Sequence, residues 1–117
     1  MKNIVLIALI FCSALAFAQQ DRTLTHNKKT NLIDVVYYHD NGQISQTGSY
    51  TLDGKLQGDW FSYDHDGNKI AAAKYNKGEK TGKWFFWEGN VLKEVDYSKN
   101  KIANVVEWNK TNIAARD

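Results

Sequence analysis

Apolar and polar residues alternate along this chain in short bursts, each closed by a turn-forming pair rather than by a helix stop. Leu32-Ile33-Asp34-Val35-Val36-Tyr37-Tyr38 is the first clear burst, β-branched and aromatic, and Asn41-Gly42 comes soon after it. Asn-Gly between two strand-like segments predicts a hairpin, because a type I′ turn needs positive φ at both central residues. Asp66-Gly67 repeats the signal, and Glu88-Gly89 (or Gly89-Asn90) repeats it again. Eight residues after each of these glycines stands a tyrosine: Tyr50, Tyr75 and Tyr97. A second kind of turn follows at Asp53-Gly54-Lys55 and Lys77-Gly78-Glu79, with a degenerate form at Lys99-Asn100-Lys101. Gly58 and Gly82 then precede Trp60 and Trp84 by two residues. No segment keeps a useful 3.6-residue apolar period, so little or no helix is predicted beyond the N-terminal segment.

The tryptophans at 60, 84 and 108 are spaced by 24 residues each time (84 − 60 and 108 − 84). A fixed period of this size marks a repeat architecture. Each unit reads as strand, tight turn, strand, second turn. Short connections force antiparallel neighbours, since parallel ones need long crossovers. The third unit has lost its glycines, and its tyrosine-to-tryptophan interval is 11 residues against 10 and 9, as expected of a terminal cap. The expected fold is all-β: a single-domain antiparallel β-meander of about three 24-residue hairpin repeats over residues 32–108. A flexible lead-in, 19–31, and a C-terminal tail, 109–117, are expected to flank it.

Strand alternation sorts the aromatics. Trp60 faces one side of the sheet, and Phe61 and Tyr63 the other. Trp84 and Phe86 share the first side, Phe85 and Trp87 the second. Trp60 and Trp84 are expected about 10 Å apart on one face, two strands at ~4.8 Å each. We read them as core, because large aromatics dominate core energetics. Phe61, Tyr63, Phe85 and Trp87 are candidates for a partner-binding surface.

With these residues in view, the chain resembles the MORN-variant repeats of the YwqK-type family of bacterial proteins, which carries an antitoxin label. The family unit looks like Tyr-x-x-Gly-Lys-x-x-Gly-x-Trp, then aromatics and an Asn-Gly turn. Tyr50 to Trp60 and Tyr75 to Trp84 match it, with Gly-Glu for Gly-Lys in the second and one residue of slack in the loop. The third unit departs at Asn100, Asn104 and Val106. The resemblance implies an elongated antiparallel meander that presents a surface, and no catalytic residues.

Composition adds an address. Lys2, the apolar run Ile4 to Leu15 and the small-x-small Ala16-Phe17-Ala18 predict a cleaved signal peptide over 1–18, with Gln19 as the new N-terminus. Twelve apolar residues fall short of the roughly 20 that cross a bilayer, so no transmembrane segment is expected in the mature chain. The predicted mature chain has 117 − 18 = 99 residues, no cysteine, and 14 basic against 13 acidic side chains once Lys2 is removed. That excludes a disulfide framework and a thiol nucleophile, and it is far from the basic footprint of a nucleic-acid binder.

Candidate chemistry is thin. Asp64-His65-Asp66-Gly67-Asn68 echoes the start of a calcium loop but lacks its later ligands, and Asp and Asn are turn residues for backbone reasons alone. His39 and His65 hold near-equivalent places in the repeat, yet two histidines make a poor zinc site. No serine lies in a nucleophile motif. No catalytic residue, cofactor or metal is expected. The reading is an exported, periplasmic or extracellular, non-enzymatic scaffold that binds a protein or envelope polymer through a sheet edge and an aromatic face. Alternatives are an antitoxin-like inhibitor of a partner toxin and a self-associating structural envelope component. The expected edges are Val35 to Tyr38 and Val105 to Trp108, where unpaired backbone groups would accept a partner strand unless residues 19–31 and 109–117 fold over them.

Overall fold

The computed structural model describes residues 21–109. The strands are β1 (Arg22–Asn27), β2 (Leu32–Tyr38), β3 (Ile44–Tyr50), β4 (Leu56–Tyr63), β5 (Lys69–Asn76), β6 (Glu79–Lys80), β7 (Gly82–Glu88), β8 (Val91–Ser98) and β9 (Lys101–Asn109). They form one antiparallel sheet in the order β1-β2-β3-β4-β5-β7-β8-β9, with the two-residue β6 paired to β5. No helix occurs among the described residues. The all-β meander is therefore as expected. The predicted signal peptide, 1–18, and residues 110–117 of the predicted tail lie outside the described residues.

Two expected boundaries are corrected. Residues 22–27 of the supposed flexible lead-in are a strand, paired with β2 from Arg22↔Tyr37 to Asn27↔Leu32. Its polar composition hid it, because an outer strand needs few inward apolar side chains, here Leu24. The Asn27 side chain organises the turn that follows: its Oδ1 accepts from the Lys29 and Thr30 amides, and its Nδ2 donates to Asp34 at 3.0 Å. In consequence Val35 to Tyr38 is an interior strand, not an edge. Asn109, assigned to the tail, belongs to β9.

The turns explain the uneven unit lengths. At Asn41-Gly42 only Gly42 has positive φ; the His39 amide donates to Gln43 O, and the Gly42 amide to His39 O. That is a three-residue loop closed by a glycine bulge rather than the expected two-residue type I′ turn. Thr51 to Lys55 and Asp64 to Asn68 repeat the same pair of bonds. Lys77-Gly78 and Lys99-Asn100 are instead two-residue turns with positive φ at both positions, as type I′ requires. The loop before Trp60 is thus one residue longer than the loop before Trp84, which accounts for the tyrosine-to-tryptophan intervals of 10 and 9.

The core lies on one face. Val35, Tyr37, Trp60, Trp84 and Val95 are buried there, with Trp60 only 2 % exposed. Aromatic edges and faces run along the row: Tyr50 to Trp60 at 5.1 Å, Trp60 to Tyr75 at 6.4 Å, Tyr75 to Trp84 at 5.2 Å and Trp84 to Tyr97 at 4.9 Å between ring centroids. The two buried indole N–H groups, of Trp60 and Trp84, are both satisfied, as buried donors must be. Trp60 donates to Ser49 O at 3.1 Å and Trp84 to Lys74 O at 3.1 Å, in each case the carbonyl just before the repeat tyrosine.

That hydrogen bond depends on a bulge. Between Tyr50↔Leu56 and Thr47↔Phe61, the tryptophan strand carries two residues more than its partner; the same excess separates Tyr75↔Lys80 from Ala72↔Phe85. Gly58 and Gly82 sit in these bulges at φ 75° and 68°, a region that L side chains avoid. Gly48 makes room for the first ring: a methyl group there would lie 2.0 Å from Trp60 Cδ2.

Candidate functional site

Trp108 does not continue the tryptophan row, and this corrects the 24-residue reading. On β9 the partner of Val95 is Val105, just as Trp84 is its partner on β7. Val105 therefore holds the tryptophan place, only 21 residues after Trp84 (105 − 84), and it is 49 % exposed. The reason is local: the third bulge has one extra residue rather than two, between Tyr97↔Ile102 and Asp96↔Asn104, and no glycine. Trp108 pairs with Leu92, which pairs with Trp87, so it stands on the opposite face. Val105-Val106-Glu107-Trp108 is equivalent to Trp60-Phe61-Ser62-Tyr63 and Trp84-Phe85-Phe86-Trp87.

The opposite face is where the four candidate residues lie. Phe61, Ala72 and Phe85 are direct cross-strand neighbours and continue through Glu94 to Val106. Beside that row, Trp87, Leu92 and Trp108 form a second one, and Tyr63, two residues after Phe61, stands on the same face of β4. Phe85 and Trp87 are stacked at 6.1 Å with their planes 26° apart, and Lys69 Nζ lies 4.2 Å over the Phe61 ring. All four candidates are half-buried. Val106 and Trp108 were not assigned to this face because nothing in the sequence said that the third unit is shifted; Leu92 joins it by pairing with Trp87.

Polar groups frame this apolar strip on one side. Lys83 bridges Glu94 at 2.9 Å and Asp96 at 3.3 Å, and these two carboxylates raise the Lys83 ammonium above the ordinary lysine range. Further along the same face, Asp34 accepts from Ser49 Oγ at 2.7 Å and from Asn27. These two bonds, Ser49 first, hold its carboxyl below the usual range.

The repeat tyrosines line the aromatic row of the core face. Burial pushes the phenols of Tyr50, Tyr75 and Tyr97 above their ordinary values, helped at Tyr50 by the Tyr37 hydroxyl 2.9 Å away. They remain protonated near neutrality and are poorly suited to act as bases. In the calcium-like stretch, Asp64 turns inward: Oδ1 accepts from the Asn68 and Asp66 amides at 2.9 and 3.0 Å, and Oδ2 from Asn68 Nδ2 at 3.2 Å. The backbone bond from Asn68 is the largest influence lowering its pKa. Its carboxylate is engaged in building the loop. His39 and His65 come closer than two strands, stacked at 4.0 Å, because successive loops lean together at one end of the sheet. His39 Nε2 donates to Tyr63 O at 2.9 Å, and Asn41 Nδ2 donates to His65 O at 3.0 Å. Among the described residues no three His, Cys, Asp or Glu side chains are grouped to hold a metal ion. No described helix is long and apolar enough to cross a membrane.

No family model matches this chain, and no curated protein matches it significantly. What the surface can do has to be read from its own geometry. That geometry is a single sheet with one aromatic face buried and a second half-buried, reaching the β9 edge.

Proposed function

We propose that this is an exported, non-enzymatic β-repeat scaffold that binds a protein or a cell-envelope polymer. Contact would combine the Phe61, Tyr63, Phe85 and Trp87 face with the β9 edge. The observation that carries the reading is the second aromatic strip. A meander needs only one apolar face to hold together, and the Trp60 and Trp84 face already supplies it. The strip on the other face reaches β9, where backbone groups and aromatic side chains meet, the combination used in strand addition. The resemblance to YwqK-type repeats supports a surface-presenting role, and the predicted leader supports action in the periplasm or outside the cell.

Capture from an envelope fraction by the purified protein tests this. Trp87→Glu with Val106→Lys should abolish capture while leaving the far-ultraviolet circular dichroism unchanged. Undiminished capture by the folded double variant would overturn the reading. Val36→Lys does not probe an edge, since Val36 pairs on both sides with Thr23 and Thr47. An antitoxin-like role beside a cytoplasmic toxin predicts that a reporter fused to residues 1–18 stays in the cytoplasm; export of the reporter excludes it.

A further inference from the structure

Cross-strand partners can be followed from one edge of the sheet to the other without a break. One row runs Arg22↔Tyr37↔Gln46↔Ser62↔Ala71↔Phe86↔Lys93↔Glu107, and its neighbour runs from Thr23 to Val106. The two edges are therefore level, with no stagger. Closing a sheet calls for strands sheared along their axes, and among the described residues β1 pairs with β2 and β9 with β8, not with each other. Eight strands lie on the path, an even number, so β9 runs antiparallel to β1. A neighbouring copy displaced along the sheet would then present β1 to β9 as the next strand of the meander.

The level register also fixes which side chains would meet. Arg22 comes opposite Glu107, an opposite-charge pair on the core face. Leu24, 51 % exposed, comes opposite Val105, 49 % exposed, on the same face. Thr23 meets Val106 and Thr25 meets Asn104 on the other face. Charge, apolar surface and sidedness agree in one register, and cross-strand pairs of these kinds stabilise a sheet.

We infer that β9 of one copy pairs antiparallel with β1 of the next, with Arg22 opposite Glu107 and Leu24 opposite Val105, giving head-to-tail assembly of this chain. Such a contact is heterologous and extends into rings or filaments rather than stopping at a symmetric dimer. The core row would continue across each junction, and the aromatic strips would line up on one side. This deepens the proposed function by naming a second copy as the strand that meets the edge, and it rests on that reading of β9 as a docking edge. Partner capture and self-association are separate readouts, so each can fail without the other.

Sedimentation velocity of the purified full gene product over a wide concentration range tests it. Concentration-dependent species larger than a dimer are expected. Leu24→Lys alone and Val105→Lys alone should each be monomeric, because each spoils one edge. Mixed together they should form a one-to-one dimer and nothing larger, through the two edges left intact. Glu107→Arg should suppress assembly, and Arg22→Glu added to it should restore assembly. Circular dichroism and thermal midpoints near that of the parent show that the variants are folded. A parent that is monomeric throughout overturns the inference, as does Leu24→Lys that still self-associates, which points to β9 meeting β9. Assembly only after removal of residues 110–117 also overturns it, since the chain's own end is then the occupant of the edge.

Discussion

Trp84 and Val105 hold the same place in successive units, yet one is buried and the other half-exposed at the rim. Both face Val95, one from each side. What separates them is one bulge residue and a glycine. Where two extra residues and Gly82 precede it, the indole donates to Lys74 O. With one extra residue and no glycine, β9 carries a valine at that place. The comparison teaches that the bulge, more than the tryptophan, defines a complete unit. It also shows why the last unit can serve as an edge, since its apolar side chain remains available at the rim.

The largest effect should come from removing the ring where the bulge is complete. Trp84→Ala and Trp60→Ala should each cost about 3–5 kcal/mol, the usual loss for truncating a buried aromatic, whereas Val105→Ala should cost less than about 1 kcal/mol, as at an exposed site. Urea denaturation of the three variants measures this. Equal losses at Trp84 and Val105 would dissolve the distinction between complete and incomplete units.

Next comes the seat of the ring. Gly48→Ala places a methyl group against Trp60 and should destabilise by about 1–3 kcal/mol, the range for overpacking. Its β5 counterpart is already an alanine, Ala73, which pairs with Trp60 on one side and flanks Trp84 on the other. Ala73→Gly should therefore cost only about 1 kcal/mol or less, from backbone entropy. Thermal midpoints of the two variants give the test; a harmless Gly48→Ala would show that Trp60 has room to move.

A smaller contribution is expected from acid. The Asp34 carboxyl is held below its ordinary value of 3.8 by Ser49 and Asn27. Its stabilisation is complete above the unfolded pKa and is lost as pH falls through the lower folded one. Stability should therefore drop below about pH 4, and Asp34→Asn should lessen the part of that drop set by this residue. Urea midpoints at neutral and acid pH compare the two proteins.

The smallest expected effect is the most direct probe of the comparison. Val105→Trp restores the residue but not the bulge, and stability should change by no more than about 0.5 kcal/mol. Adding one glycine after Ile102 to that variant should bring a clear gain and quench the new indole's exposure to acrylamide. A large gain from Val105→Trp alone would mean that the bulge is not needed.

Much of the fold was legible because strand sidedness and turn chemistry are local properties. Leu32 to Tyr38 alternates, Gly54 and Gly67 close loops, and Phe85 must face away from Trp84; each follows from a few neighbouring residues. The fold class and the split of Trp60 and Trp84 from Phe61, Tyr63, Phe85 and Trp87 could be read on that basis. Other features depend on the strand opposite. Whether an extra residue bulges out or shifts the register is decided by what pairs across from it, so an unbroken spacing from Trp84 to Trp108 concealed a change of face. Likewise Arg22 to Asn27 has little apolar pattern of its own and becomes a strand because β2 offers it an edge. The level alignment of Arg22 with Glu107 is the sum of every bulge and loop between them, which is why tertiary structure alone could place the two edges in register.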